Sequence, residues 1–258
     1  MNLCRIALLA VALAAGTAGA FDRLATLDTR PGVSVEYWVM ERKDSGATLV
    51  LLPGGAGNLG IGKRGGPPAS DNFLTRSRDL FADAGFNVVV MGRPSDRTEL
   101  DATFRAGPEH LQDLRMLVER LGRDFGKPVW LVGTSRGTIS AAAAAIALPP
   151  PAIAGVVLTA SVTNGNNTVP VPSLALHEIR VPVLVMHHRQ DACRICRPER
   201  AERIVAGLKN APVRSLQLVD GGGGAQGDPC EAMHWHGFVG MEKEAVAAIA
   251  AWIRKPSP

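Results

Sequence analysis

A series of short apolar segments, bounded by glycine or proline and rich in β-branched residues, constrains the fold of this chain most strongly. Such segments are typical of β-strands. Several are apolar at every position, which is typical of a parallel sheet covered on both faces. The predicted strands run from Val33 to Val39, Thr48 to Leu52, Asn87 to Met91, Val129 to Val132, Ile153 to Thr159, Val181 to His187 and Val213 to Val219.

Helical patterns separate these segments. The clearest follows Pro108, which suits a first helical turn, and puts Leu111, Leu114, Leu117, Val118, Leu121 and Phe125 on one face. Further helices are predicted near Asp71 to Ala84, Arg136 to Leu148, Pro198 to Leu208 and Phe238 to Ile253. The alternation predicts an α/β fold with a mostly parallel central sheet flanked by helices on both faces. No internal linker divides the chain, so we expect one domain.

The first twenty residues have the pattern of a secretory signal peptide. Arg5 precedes an apolar run from Ile6 to Ala15, and small residues follow up to Ala20. The run is shorter than the roughly 20 apolar residues that span a bilayer, which disfavours a membrane anchor. We therefore expect cleavage before Phe21, a mature domain over residues 21–258 without a membrane span, and a secreted or periplasmic location.

The charge distribution excludes one class of partner. The formal net charge is +4, and the basic residues are spread along the chain. A nucleic-acid surface needs clustered Lys and Arg, so we expect no nucleic-acid partner. Charge and composition leave the oligomeric state open.

The segment Gly133-Thr134-Ser135-Arg136-Gly137 is a GxSxG motif that directly follows the strand VWLV and precedes the helix pattern TISAAAAAIA. A sharp strand-to-helix turn of this kind exposes a serine hydroxyl above a sheet. A serine becomes a good nucleophile only when a base takes its proton and an acidic residue orients that base. Both partners are therefore expected further along the chain.

The acid and the base are predicted at the same sheet edge as Ser135. Asp191 follows the strand VPVLVMHH, and His236 lies just before the last helix. The order of serine, acid and histidine is the one found in α/β-hydrolases. Asp220 is the rival acid, and His234 is the rival base or a substrate contact. The remaining histidines at this edge, His187 and His188, are predicted to be structural.

The chain resembles the α/β-hydrolase superfamily over roughly Val33 to Ile253, and within it the compact bacterial esterase-like enzymes without a large cap. The resemblance lies in GTSRG, HHRQDAC, HGF and Leu51-Leu52-Pro53-Gly54-Gly55-Ala56-Gly57. It implies a serine hydrolase, acting on small-molecule carboxylic esters without a cofactor or metal. Ser135 would be the nucleophile, His236 the base and Asp191 its orienting acid.

The tetrahedral intermediate of such a reaction needs two preorganised N–H donors. The resemblance assigns them to the backbones of Gly55 and Arg136. Pro53 stands where a related version of the motif has histidine, so Gly54 and Ala56 remain alternatives to Gly55.

Three cysteines remain after the signal peptide is removed, in a compartment where disulfides persist. We expect a disulfide between Cys193 and Cys230, which would tie the acid loop to the histidine loop, with Cys196 as the alternative partner. The motif Cys193-x-x-Cys196, together with nearby histidines, also allows a metal-binding protein. A non-catalytic binding protein that keeps the fold is a further alternative.

Four arginines near the candidate site suggest a substrate preference. If they lie together, they would make the mouth of the site positive and favour a substrate that carries a carboxylate. They are Arg93, Arg97, Arg105 and Arg136.

Overall fold

The computed structural model describes residues 21–62, 66–165 and 168–258. The predicted signal peptide, residues 1–20, lies outside the described residues. The described chain forms one eight-stranded sheet in the order β1-β2-β4-β3-β5-β6-β7-β8. The strands are β1 (Phe21–Arg30), β2 (Val33–Glu41), β3 (Thr48–Leu52), β4 (Asn87–Pro94), β5 (Val129–Thr134), β6 (Gly155–Thr159), β7 (Val183–His188) and β8 (Arg214–Val219).

The sheet is parallel from β4 through β8, whereas β1 pairs with β2, and β2 with β4, in antiparallel fashion. Parallel strands need crossover connections, and these bring all their carboxyl ends to one edge of the sheet. The loops that follow β3, β5, β7 and β8 therefore start at the same edge. These loops carry the candidate site residues.

Helices cover both faces of the sheet. In β3, Val50 joins one apolar cluster, while its neighbours Leu49 and Leu51 join the other, because successive side chains in a strand point to opposite faces. The helices are α1 (Phe73–Arg76), α2 (Arg78–Asp83), α3 (Ala102–Ala106), α4 (Pro108–Phe125), α5 (Gly137–Ala147), α6 (Glu202–Gly207) and α7 (Glu242–Arg254). The predicted α/β class and its mostly parallel sheet are confirmed.

The sequence explains the bounds of α4 and the close packing of α5. Pro108 opens α4, and Gly126 ends it in the left-handed conformation that favours glycine. Helix α5 consists largely of alanines that are fully buried. Small side chains let this helix lie close to β5 and β6, which fixes the direction in which the β5–α5 turn points.

Some elements differ from the sequence prediction. Strand β1 was not predicted, because only alternate residues such as Ala25 and Leu27 pack against the core. Helix α3 was also missed, since it has only 5 residues. The last helix begins at Glu242 and not at Phe238, because Phe238 has a φ of 58° and a 3-10 turn over Trp235–Gly237 precedes it.

Within the described residues, no helix combines the length and the apolar character that crossing a membrane would require.

A buried carboxylate fastens the edge hairpin to α4. Asp113 is fully buried and accepts hydrogen bonds from Arg30 Nε at 2.8 Å, Arg30 Nη2 at 3.1 Å and Thr29 Oγ1 at 2.5 Å. Arg30 also forms an ion pair with Asp96. The hydrogen bonds that Arg30 donates to Asp113 and Asp96 raise its pKa. This cluster joins β1 to a helix more than eighty residues away in the sequence.

We predict that Asp113→Asn lowers the free energy of unfolding by about 2 kcal/mol, because it leaves the Arg30 charge without its buried partner. Urea denaturation measures this. The matched control is Asp124→Asn, which breaks an ion pair between Arg120 and Asp124 on the surface of α4 and should change the value by about 0.5 kcal/mol or less. Equal losses in the two variants would contradict the prediction.

Candidate active site

Ser135 lies in the sharp turn between β5 and α5 with a φ of 51°. This left-handed conformation is unusual for a residue with a side chain and is found at functional sites. Hydrogen bonds on both sides of the residue hold it: Ser135 N donates to Thr159 O at 3.1 Å, and Thr138 N donates to Ser135 O at 2.9 Å. The surrounding sheet and helix thus maintain the strained turn.

The glycines of the motif are required by close approach of backbones. A Cβ added at Gly133 would lie 2.5 Å from the carbonyl oxygen of Gly137, and one added at Gly137 would overlap the carbonyl oxygen of Leu52. A Cβ at Gly54 would lie 2.8 Å from Ser135 Cβ. The turn and the loop after β3 therefore touch at a distance that only glycine permits.

Asp191 and His236 form a buried pair beside this turn. His236 Nδ1 lies 2.9 Å from Asp191 Oδ2, and the side chains are almost fully buried. The other carboxylate oxygen, Oδ1, accepts a hydrogen bond from Cys193 N at 2.9 Å. An ionised Asp191 only accepts, so the proton of a neutral His236 lies on Nδ1 and Nε2 is left as the acceptor. In the described part of the chain, His236 Nε2 has no hydrogen-bond partner.

The rival residues lie elsewhere. Asp220 is largely exposed and forms an ion pair with Arg189 at 2.9 Å. His234 packs edge-on against Trp235, with ring centroids 6.3 Å apart. The pairing with the acid thus involves Asp191 and His236 only.

One cavity of about 320 Å³ is lined by both Ser135 and His236. The loop after β3 forms another wall, through Gly54, Gly55 and Ala56. Among the described residues, none accepts a hydrogen bond from the backbone N–H of these three or of Arg136. The N–H groups of the predicted donors Gly55 and Arg136 and of the alternatives Gly54 and Ala56 thus have no partner within the described chain.

A disulfide joins Cys193 to Cys230, as expected from the sequence, with an S–S distance of 2.07 Å. It connects the loop that carries Asp191 to the loop that leads to His236. Ligand atoms of Cys193, Cys196 and His236 lie within 4.8 Å of one another. The sulfur of Cys193 is bonded to Cys230, so this cluster lacks one of the thiolates that a metal site would need.

Cys196 is a buried free thiol next to the candidate nucleophile. Its thiol interacts with the Ser135 side chain, and burial raises its pKa. A protonated, inaccessible thiol is a poor nucleophile. No motif or spacing in the sequence predicts that Cys196 and Ser135 are neighbours.

His188 supports the histidine loop in a way that the sequence only suggested. Its ring stacks on Trp235 at 4.9 Å with an interplanar angle of 9°, and its Nε2 donates to Gly221 O at 3.1 Å. Nδ1 accepts from Gln190 N. Because Trp235 is adjacent to His236, these contacts fix the loop from which His236 projects.

The expectation that Arg105 belongs to a cluster of arginines at the mouth of the site is wrong. This side chain is 1% exposed and donates to backbone carbonyls of the loop after β3. Arg97 lies over the ring of Phe104, and Arg136 lines a neighbouring cavity of about 570 Å³ together with Glu99 and Asp101. The four arginines therefore do not share one surface.

No family model and no curated protein matches the sequence, but solved structures resemble the fold. An esterase from Pyrococcus furiosus superposes with a TM-score of 0.64 at 14% identity, covering 92% of this chain and 93% of the esterase. A serine hydrolase without lid from Xanthomonas campestris gives 0.58 at 17% identity, with 92% and 95% covered. An esterase from an Arctic intertidal metagenomic library gives 0.58 at 15%, with the same coverage. The chain thus has the α/β-hydrolase fold, and the residues that the structure describes form no large cap.

We predict that acid destabilises the protein through two buried histidines. Burial lowers the pKa of His110 to about 3 and that of His187 to about 4, against about 6.5 in an unfolded chain. Between pH 6.5 and 4 the unfolded state therefore binds protons that the folded state does not, and stability falls as the pH falls. At pH 5 each histidine should cost about 2 kcal/mol. Urea midpoints that stay constant from pH 7 to pH 5 would contradict this.

We also predict that Cys230→Ser lowers the free energy of unfolding by about 3 kcal/mol, since the disulfide restricts a loop with a sequence separation of 37 in the unfolded chain. Alkylation of the denatured mature protein, followed by mass spectrometry, should modify only Cys196 before reduction and all three remaining cysteines after it. Modification of all three without reductant would show that the disulfide does not form.

Proposed function

We propose that this protein is a serine hydrolase that cleaves carboxylic esters through an acyl-enzyme intermediate. The observation that supports this best is the state of His236. Its Nδ1 is paired with a buried carboxylate, while its Nε2 is unpartnered and lines the same cavity as Ser135. A base oriented in this way, beside a strained serine, is the arrangement that acyl transfer requires.

In the proposed reaction, Ser135 Oγ attacks the ester carbonyl carbon while His236 Nε2 takes the hydroxyl proton. Asp191 stabilises the imidazolium that results. The C–O bond to the leaving alcohol breaks as His236 returns the proton to it. Water then attacks the acyl-enzyme, with His236 again as the base, and releases the acid and free Ser135.

The negative charge of the tetrahedral intermediates falls on the former carbonyl oxygen. We assign its stabilisation to the backbone N–H groups of Gly55 and Arg136. Their lack of a partner in the described chain supports this, since a donor already bonded within the protein would not be available. Gly54 and Ala56 meet the same condition and remain alternatives to Gly55.

The proposed substrates are small esters with short acyl chains. The cavity measures about 320 Å³, a volume near the lower end of the range for small-molecule sites. The connection between β6 and β7 contributes short 3-10 segments over Val171–Ser173 and Leu176–Glu178 in its described part. A connection of this size suits an accessible site better than a covered one.

The proposed location is outside the cytoplasm, in the periplasm or the medium. Two features support it: the signal-peptide pattern of residues 1–20 and the disulfide between Cys193 and Cys230. Disulfides persist in oxidising compartments and are rare in the cytosol.

We predict that the mature protein hydrolyses p-nitrophenyl acetate and butyrate faster than the octanoate, and that a fluorophosphonate labels it. Ser135→Ala should abolish labelling and lower kcat by at least about 10⁴-fold. Asp191→Asn should lower kcat by about 10³- to 10⁴-fold, because His236 would lose its orientation and tautomer.

The matched control is Ser173→Ala, which removes an exposed serine and should leave turnover unchanged. A folded wild-type protein that neither turns over esters nor reacts with the fluorophosphonate would refute the proposed function and favour a non-catalytic binding protein.

A further inference from the structure

Arg105 is a fully buried arginine whose donors go to backbone carbonyls and one hydroxyl. Nε donates to Leu100 O at 3.1 Å, Nη1 to Ser140 Oγ at 3.0 Å, and Nη2 to Pro53 O at 3.1 Å and to Gly55 O at 3.2 Å. It takes part in none of the ion pairs found in residues 21–62, 66–165 and 168–258. A buried cation without a carboxylate partner is costly, so its position calls for an explanation.

The carbonyl oxygens of the four loop residues from Pro53 to Ala56 are all engaged by partners inside the protein. Arg105 binds those of Pro53 and Gly55. Gly54 O accepts from Gly57 N at 3.1 Å, and Ala56 O accepts from Leu100 N at 3.0 Å. Leu100 in turn offers its own carbonyl to Arg105 Nε. The guanidinium thus contacts the loop at Pro53 and Gly55 and contacts Leu100, which in turn binds the loop at Ala56.

Because the peptide bond is planar, a hydrogen bond that holds a carbonyl also fixes the direction of the N–H group in the same peptide unit. In a trans peptide the C=O of one residue and the N–H of the next point opposite ways. By holding Pro53 O and Gly55 O, Arg105 fixes the N–H directions of Gly54 and Ala56. The Gly54–Gly57 turn does the same for Gly55. The three N–H groups of this loop that are considered as oxyanion donors are therefore all oriented by this network.

Arg105 acts from behind the loop. Gly54, Gly55 and Ala56 line the cavity that contains Ser135 and His236, whereas Arg105 does not. It instead borders a small cavity of about 10 Å³ together with Gly57, His110 and Ser140. Arg105 therefore does not contact a ligand in that cavity, and its contacts with the loop are made through the carbonyl oxygens of Pro53 and Gly55.

We propose that Arg105 is a positioning residue: it holds the peptide planes Pro53–Gly54 and Gly55–Ala56 on either side of Gly55, so that the N–H groups of the loop Pro53 to Ala56 are preorganised for the oxyanion. The inference rests on the proposed function. Bonds from a charged donor are roughly twice as strong as neutral ones, which suits the task of holding a glycine-rich loop. Burial lowers the pKa of Arg105 to about 9, so the group is cationic at neutral pH.

The test compares Arg105→Met, Arg105→Lys and wild type in hydrolysis of p-nitrophenyl butyrate. Methionine fills the space but releases Pro53 O and Gly55 O. We expect kcat to fall by about 10- to 100-fold with KM changed less than about threefold, because a misplaced donor weakens the transition state and not the bound ester. Lysine, with a single ammonium group, should recover part of kcat.

A second readout separates positioning from a merely structural role. A trifluoromethyl ketone, which forms a charged tetrahedral adduct with the serine, should bind the methionine variant more weakly by the same factor as the loss in kcat. The control is Val118→Ala, a buried change in α4 remote from the loop, which lowers thermal stability but should leave kcat and inhibitor affinity unchanged. All variants are assayed at a temperature where circular dichroism shows them folded.

The outcomes distinguish the two proposals. If folded Arg105→Met keeps the wild-type kcat and inhibitor affinity, the positioning role is refuted, while the turnover of the wild type keeps the proposed function intact. The same holds if Arg105→Met loses kcat no more than Val118→Ala does. If wild type shows no turnover and no fluorophosphonate labelling, the proposed function fails, and the inference fails with it.

Discussion

The candidate site depends on the left-handed backbone of Ser135. A residue with a Cβ adopts this conformation only when its surroundings impose it. Here β5 and α5 meet in a turn so tight that Gly133 and Gly137 cannot carry side chains, and the loop after β3 approaches Ser135 so closely that Gly54 cannot either. The buried alanines of α5 allow that helix to lie near the sheet. The position of the serine is therefore a consequence of packing in the core.

The other half of the site depends on two loops that are distant in sequence. Asp191 follows β7, and His236 comes after β8, so parallel topology alone brings them to one edge. The disulfide between Cys193 and Cys230 then joins the two loops covalently, within a few residues of the acid on one side. Stacking of His188 on Trp235 adds a contact next to the base. Both restraints reduce the motion that would separate Asp191 from His236.

The sequence predicted the parts of the structure that depend on local patterns. Strands β2 to β8 were predicted because they are short apolar segments, rich in β-branched residues and bounded by glycine or proline. Ser135, Asp191 and His236 were predicted as site residues because motif and chain order mark them. Strand β1 was not predicted because half of its residues face away from the core. The burial of Arg105 was not predicted for a different reason. Two of its partners are backbone carbonyls about fifty positions away in the sequence, and a backbone carbonyl cannot be recognised from residue type. An arginine outside a predicted helix or strand is ordinarily expected to be exposed.

Arg105 also shows why a buried charge can persist in a protein of marginal stability. Removing a guanidinium from water costs free energy, and neutral carbonyls offset this less fully than a carboxylate would. A carboxylate, however, would engage the guanidinium itself and leave Pro53 O and Gly55 O without a donor. A hydrophobic side chain would fill the space but hold neither peptide plane. Of the common side chains, only arginine has enough donors in a fixed plane to bind four acceptors at once. In the proposed role, the free energy that burial of the Arg105 charge costs is tolerated because the arginine keeps the loop that faces Ser135 in one conformation.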